Sequence, residues 1–406
     1  MADTTDGRFE DRYEVQDEIG RGGMAIVHRV FDRVLDRHVA MKVLRTPGDS
    51  EALRALRDEA RVIARLDHPG IVPIYDVLED ADGSTRILMK LVEGRSLAAI
   101  LAESAVPPVA GVELHSLLQV FVKVCDAVGF AHSRGVIHRD LTPANIMVGS
   151  YGQVYVMDWG LALLRDRRSA AAPIAPNTGV SGSPAYMAPE QARGRLQDIG
   201  PATDVFGLGA ILYHVLMLHP PWHGTTSVDV FTQATAGRVP PPTPLRPDLE
   251  LPAGLCRIAM KALAAEPRDR HASIEALRGE VEVFLRGGGW FDVATFPKGS
   301  LILREGDPGV TAYIVVSGTC EIHRLADGRK ERLRVVGPGE VFGEVAFFTE
   351  TPRTANVEAT TDVSVLVVTR AALERELEQS SWMRAFVRAA IDRFVELDRA
   401  SLKALK

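Results

Sequence analysis

Val136-Ile137-His138-Arg139-Asp140-Leu141-Thr142-Pro143-Ala144-Asn145 sets an acid and an amide five residues apart, and Asp158-Trp159-Gly160 follows eighteen residues after that acid. Towards the N-terminus, Ile19-Gly20-Arg21-Gly22-Gly23-Met24-Ala25-Ile26-Val27 reads as a glycine-rich turn. Gly20 and Gly22 carry no side chain, so the backbone there is open to close approach by a ligand. Val39-Ala40-Met41-Lys42 reads as a short β-strand that ends in a lysine. Seventeen residues later Glu59 lies among Leu53, Leu56, Ala60 and Ile63, whose helical spacing turns it towards the core-facing side. A carboxylate in that position needs a partner, because an unpaired buried charge is costly. Towards the C-terminus, Ala188-Pro189-Glu190 closes the segment begun by Asp158, and Asp204-Val205-Phe206-Gly207-Leu208-Gly209 opens an apolar helix.

Singly, each feature has an ordinary reading: a hairpin for Gly20 and Gly22, solvated charges for Lys42 and Glu59, turns for Asp158 and Asn145. Together and in this order they resemble a protein kinase catalytic core. The resemblance implies that Asp140 accepts the proton of a substrate hydroxyl, while Asn145 and Asp158 hold Mg²⁺ against the phosphates of ATP. It makes Lys42 the anchor of the α/β-phosphates, with Glu59 as its ion-pair partner, and puts Gly20, Gly22, Val27, Ala40, Met89 and Leu91 around the nucleotide. The stretch Gly182-Ser183-Pro184-Ala185-Tyr186-Met187 resembles the peptide-docking segment of protein kinases, and Ser183 implies Ser and Thr hydroxyls of a protein as substrates. Arg139, before the catalytic acid, implies control by phosphorylation in the following segment, with Thr178, Ser181 and Ser169 as candidates. The runs Asn145-Ile146-Met147-Val148-Gly149 and Tyr155-Val156-Met157-Asp158-Trp159-Gly160 are in the style of bacterial eukaryotic-like kinases.

Three positions depart from the family pattern. Ala25 stands where a third glycine is usual, which stiffens the loop by one methyl. Trp159 replaces the usual Phe and keeps a large apolar anchor beside Asp158. Thr142 stands where a lysine usually contacts the transferred phosphoryl group. Loss of one donor aimed at transition-state charge costs on the order of a hundredfold in rate at comparable sites. An inactive scaffold that relays a signal to a partner is therefore the alternative to an active kinase.

After Leu285 the triplet Gly287-Gly288-Gly289 breaks the helical pattern, and short β-branched runs take over: 300–303, 312–318, 333–337 and 363–368. Within this β-roll pattern, Phe342-Gly343-Glu344-Val345-Ala346-Phe347-Phe348 with Pro352-Arg353-Thr354-Ala355 resembles the phosphate-binding cassette of cyclic nucleotide-binding domains. Glu305-Gly306-Asp307 and the Ser317-Gly318 turn belong to the same match. The resemblance implies that Arg353 and a short helix hold the cyclic phosphate, that Glu344 bonds the ribose, and that Gly343, Val345, Ala346 and Thr354 complete the site. Cyclic AMP and cyclic GMP both stay open as the regulatory ligand. Met383, Val387, Ala390, Phe394 and Leu397 alternate steps of four and three, so residues 371–406 suit a lid over the base or a homodimer seam.

The expected architecture is multidomain α+β: a tail at 1–12, a bilobal kinase fold at 13–285, a linker at 286–290 and a β-roll with C-terminal helices at 291–406. The small lobe is expected over about 13–92 and the large lobe over about 93–285. Net charge −6, pI about 6.0 and dispersed basic residues give no electrostatic footprint for nucleic acid. No apolar run reaches 18 residues, the N-terminus is acidic, and Cys125, Cys256 and Cys320 are unpatterned. These features lead us to expect a soluble cytoplasmic protein in a reducing compartment, without a membrane partner. The domain order reverses that of animal cyclic GMP-dependent kinases, so coupling is expected without its sign.

Overall fold

Alternation of β-branched and polar residues builds three long strands at the start of the chain: Tyr13–Arg21 (β1), Ala25–Asp32 (β2) and Arg37–Leu44 (β3), preceded by the helix Gly7–Arg12 (α1). In the computed structural model, the residues described are 7–22, 25–46, 49–79, 84–104, 107, 111–164, 182–245, 251–285, 291–326 and 329–378. They fall into two compact units, one formed by residues up to 108, 116–249 and 256–281, the other by 109–115, 250–255 and 282 onward.

In the first unit, Ile74–Glu79 (β4) and Thr85–Lys90 (β5) complete a five-stranded antiparallel sheet in the order β1-β2-β3-β5-β4. The helix Ser50–Ile63 (α2) starts at Asp49, whose carboxylate accepts from the Glu51 and Ala52 amides. Its stripe of Leu56 and Ala60 packs with Ala40, Ile87 and Met89 of the sheet, and that orientation carries Glu59 inward. Next come Arg95–Ser96 (β6), Leu97–Glu103 (α3), Gly111–Ser133 (α4), Val136–Ile137 (β7), Ile146–Val148 (β8), Val154–Val156 (β9) and Leu163–Leu164 (β10). Two small ladders, β6-β8-β9 and β10-β7, hold the loops between them. The helices Pro189–Ala192 (α5), Pro201–Met217 (α6), Ser227–Ala236 (α7), Pro242–Leu245 (α8), Ala253–Ala262 (α9) and Ile274–Leu285 (α10) complete the first series.

Helix α4 is a finding against expectation. Its 21 residues from Glu113 are long and apolar enough to cross a membrane by length and composition alone, because scattered polar residues do not interrupt its mean hydropathy. Leu118, Val124, Ala127, Val128 and Ala131 are nevertheless enclosed by the protein itself, as in a core helix. Cys125, Cys256 and Cys320 are free and buried.

The second unit pairs two four-stranded sheets. Asp292–Phe296 (β11), Leu301–Leu303 (β12), Thr311–Ser317 (β13), Cys320–Ala326 (β14), Arg329–Val336 (β15) and Val341–Phe342 (β16) precede the helix Glu344–Thr349 (α11). Asn356–Ala359 (β17), Val363–Thr369 (β18) and the helix Arg370–Glu378 (α12) follow. The sheet orders are β11-β18-β13-β16 and β12-β17-β14-β15, and Val315, Cys320, Val336, Phe342, Val357 and Val365 fill the space between them. Four strands escaped the sequence reading: β11, β14, β16 and β17. Polar alternation such as Glu321, His323 and Glu358 hides β14 and β17 from a search for β-branched runs, and β16 has two residues. The positions 286–290, Met383, Val387, Ala390, Phe394 and Leu397 lie outside the described residues.

Gly318 turns the chain between β13 and β14 with φ +81°, and a Cβ there would lie 2.2 Å from the Asp362 carbonyl oxygen. Gly299 has a similar φ of +86° but open space around it. Gly318→Ala should therefore destabilise the second unit by roughly 1–3 kcal/mol, and by more than Gly299→Ala. Urea unfolding of the two variants checks this; equal losses would assign the effect to backbone strain alone.

Candidate functional site

Lys42 projects from β3 and Glu59 from α2, and the lysine nitrogen lies 2.7 Å from each carboxylate oxygen. Asp158 Oδ1 is 4.0 Å from the same nitrogen. Burial acts against the Lys42 charge, but the two carboxylates outweigh it and its pKa lies above the ordinary lysine value. Burial likewise raises the Glu59 carboxyl, with Asp158 adding to it and Lys42 opposing both. Strand β3 continues two residues past Lys42, so the lysine is not the strand's last residue as its sequence suggested.

The loop between β7 and β8 hangs on one carboxylate that the sequence reading took only as a helix opener. Asp204, in the first turn of α6 and 1 % exposed, accepts from the His138 amide at 2.8 Å, the Arg139 amide at 2.8 Å and His132 Nε2 at 2.7 Å. Burial would raise its pKa, but hydrogen bonding and charge from His132, with the backbone donors, hold it below the ordinary aspartate value. This clamp holds Arg139 at φ +71°, and Asp158 stands at φ +57°, two left-handed positions that side chains adopt only under constraint.

From there the site is tied by short bonds. Asn145 Nδ2 donates to the Asp140 carbonyl at 2.8 Å, and the Met157 amide donates to the Asn145 carbonyl at 2.8 Å. The Ser183 amide donates to Asp140 Oδ1 at 2.8 Å. Trp159 is buried, donates from Nε1 to the Val156 carbonyl at 3.2 Å and packs its ring 4.5 Å from that of His138. Glu190 receives two bonds of 2.8 Å from Arg270, a partner that no local signal reveals because it lies eighty residues away. Thr142 is buried and makes no capping bond to the turn Pro143–Asn145 that follows it. Arg139 donates to the Leu161 carbonyl at 3.3 Å, and its Nε is buried without a partner. Thr178, Ser181 and Ser169 lie outside the described residues.

A cleft of about 940 Å³ opens beside Lys42. Gly20, Gly22, Val27, Ala40, Met89 and Leu91 all line it, and so do Ile19, Val72, Met147 and Met157, which sequence reasoning did not single out. Apolar walls with charge gathered at Lys42, Glu59 and Asp158, and the Asn145 amide beside them, suit a flat base at one end and phosphates at the other. Among the described residues no group of three or more His, Cys, Asp or Glu side chains could hold a metal. Asn145 and Asp158 offer hard oxygen donors, which fits a Mg²⁺ ion that takes its other ligands from phosphate and water.

In the second unit, Arg353 is buried, and its Nη1 donates to the Gly343 carbonyl at 2.7 Å while Nη2 donates to the Thr311 carbonyl at 2.6 Å. The turn Glu305-Gly306-Asp307 holds the Arg353 backbone: the Gly306 amide donates to the Arg353 carbonyl at 2.9 Å and the Arg353 amide to the Asp307 carbonyl at 2.8 Å. Gly343, at φ +78°, leads into α11, which begins with Glu344, Val345 and buried Ala346. Thr354 is exposed, and its carbonyl accepts from Arg324 at 2.7 Å.

A protein kinase domain model matches residues 13–280, and a cyclic nucleotide-binding domain model matches residues 293–380. The chain is similar to serine/threonine-protein kinase PknD of Chlamydia felis, 35% identical over 298 residues, covering 68% of this chain and 31% of that protein. It is similar also to serine/threonine-protein kinase PknD of Protochlamydia amoebophila, 33% identical over 307 residues, covering 70% of this chain and 31% of the relative. The chain thus spans about a third of the length of the curated relatives it matches. The chain belongs to the protein kinase family, with a β-rich cyclic nucleotide-binding domain after the kinase domain.

Asp204→Ala leaves two buried backbone donors and His132 without their acceptor. It should lower the stability of the first unit by roughly 3–5 kcal/mol, read as a fall in the thermal or urea midpoint. Because the folded-state pKa of Asp204 is depressed, its contribution is complete above the ordinary value of 3.8 and fades as pH falls below it. The acid limb of the wild-type stability profile should flatten in Asp204→Ala.

Proposed function

We propose that this protein kinase transfers the γ-phosphoryl group of ATP, with Mg²⁺, to serine and threonine hydroxyls of a protein, and that a cyclic nucleotide in the second unit controls the rate. The observation that carries the first part is the Lys42–Glu59 pair, formed beside Asp158 in a cleft that Asn145 also lines, with Asn145 Nδ2 bonded to the carbonyl of Asp140. Phosphoryl transfer asks a protein mainly for positioning and for charge placed against the phosphates. Bound Mg²⁺ supplies charge neutralisation, with Asn145 and Asp158 as its holders. Lys42, kept charged by two carboxylates, binds the phosphates. The Ser183 amide holds Asp140 Oδ1, and Oδ2 is left, 3.5 Å from Asn145 Nδ2, to accept the substrate proton.

Arg353 supports the second part, as a buried cation whose described acceptors are all neutral. The Arg353 cation suits the phosphate of cyclic AMP and cyclic GMP equally, and the helical pattern beyond residue 370 favours a lid or a homodimer seam. The acidic balance favours a cytoplasmic protein substrate over nucleic acid. One observation favours a second reading: buried Thr142 supplies no cation to the transferred group, as in an inactive scaffold that relays the nucleotide signal to a partner.

Asp140→Asn should lower kcat by about 10²- to 10⁴-fold with little change in the KM for ATP, measured as labelled phosphate on a generic basic protein with Lys42→Met as the blank. Equal near-zero rates for wild type and Asp140→Asn would overturn phosphoryl transfer in favour of the scaffold. A wild-type rate that stays constant under saturating cyclic AMP or cyclic GMP, with binding measured in parallel, would overturn the coupling.

A further inference from the structure

Arg353 is the one lysine or arginine buried below a tenth exposure among the described residues of the second unit. A guanidinium carries five N–H groups and cannot shed its charge. Here Nη1 donates to the Gly343 carbonyl, Nη2 donates to both the carbonyl and the hydroxyl of Thr311, at 2.6 Å and 3.1 Å, and Nε has no partner. Every hydrogen-bond acceptor is neutral; the charge of Asp307 favours the cation without bonding to it, and burial outweighs that help. A buried cation in that state is incomplete, and the missing element is an anion.

Thr311 contributes two of the three bonds. Its hydroxyl also lies 3.2 Å from the Tyr313 hydroxyl, and the Tyr313 ring is stacked on Phe342, with centroids 5.1 Å apart and planes 13° apart. Phe342 is fully buried in the core between the two sheets and precedes Gly343, whose carbonyl takes the third bond. One rigid stack thus governs both sides of the guanidinium. Since the Thr311 oxygen receives a hydrogen from Arg353, its own proton is free for Tyr313 or for a ligand oxygen.

We propose that Thr311 is a further positioning residue of the anion site: it holds one side of the Arg353 guanidinium so that Nε–H is left for a ligand phosphate, and Tyr313 orients its hydroxyl. The proposal rests on the reading of the second unit as a cyclic nucleotide site, and it extends that site to β13. Thr311 is a specific requirement of the chemistry, because valine has the same shape but no hydroxyl and serine keeps the hydroxyl.

The test is calorimetric titration of the full chain with cyclic AMP and with cyclic GMP. Thr311→Val should weaken the tighter-bound nucleotide by about tenfold, Tyr313→Phe by a few-fold, and Thr311→Ser should stay within about twofold of wild type. Thr311→Val binding at the wild-type level overturns the role of Thr311. A loss in Thr311→Ser as large as in Thr311→Val overturns it too, since it would trace to packing. Wild type that binds neither nucleotide overturns the cyclic nucleotide reading itself, and the proposal with it.

Discussion

The buried carboxylate of Asp204 is the constraint on which the first unit's chemistry depends. A carboxylate in the first turn of a helix already faces favourable backbone partial charge, and α6 is enclosed by the core along most of its length, so the anchor is stiff. By gripping two successive amides, Asp204 holds Arg139 in a backbone conformation it would not otherwise keep. That conformation aims Asp140, and the bonds among Asp140, Asn145 and Met157 carry the same order to the segment that bears Asp158. The strain is local, and the enclosed helix that opposes it is large.

How far this was legible in the sequence follows from how local each determinant is. Glu59 announced its inward face through Leu56, Ala60 and Ile63, because helical periodicity is a local code and Asp49 starts the helix where the pattern begins. Asp140, Asn145 and Asp158 were legible as a spaced set. Asp204 and Arg270 were not, since the Arg139 amide that Asp204 accepts from and the Glu190 carboxylate that Arg270 pairs with sit 65 and 80 residues away, and only the fold brings them together. Helix α4 shows what composition alone leaves open: it is apolar enough for a lipid environment, while Leu118, Val124, Ala127, Val128 and Ala131 are enclosed by protein.

In the second unit the same division holds. Gly343, Arg353 and the Glu305-Gly306-Asp307 turn were legible as motifs, and their mutual bonds explain why they occur together. The turn fixes the Arg353 backbone while Gly343 accepts from its guanidinium, and a Cβ at Gly343 would come within 2.8 Å of Arg353 Nη1. Thr311 and Tyr313 carried no such signal. A threonine and a tyrosine two residues apart on a strand are ordinary, and only the sheet register against Phe342 gives them a role.

Charge balance links the two units' chemistry. Lys42 is buried but has two carboxylates, so it is held charged without any ligand and can wait for phosphate in a formed site. Arg139 and Arg353 are buried with carbonyl and hydroxyl acceptors, each keeps an unpartnered Nε, and burial lowers the pKa of both. A guanidinium in that state gains most from an anion brought to it, because the desolvation has already been incurred in the ligand-free fold. In the proposed reading a cyclic nucleotide brings that anion to Arg353, and the kinase resemblance implies a phosphorylated side chain as the anion for Arg139. The physical deficit is the same in both units: a buried guanidinium with a free Nε–H and no anion bonded to it.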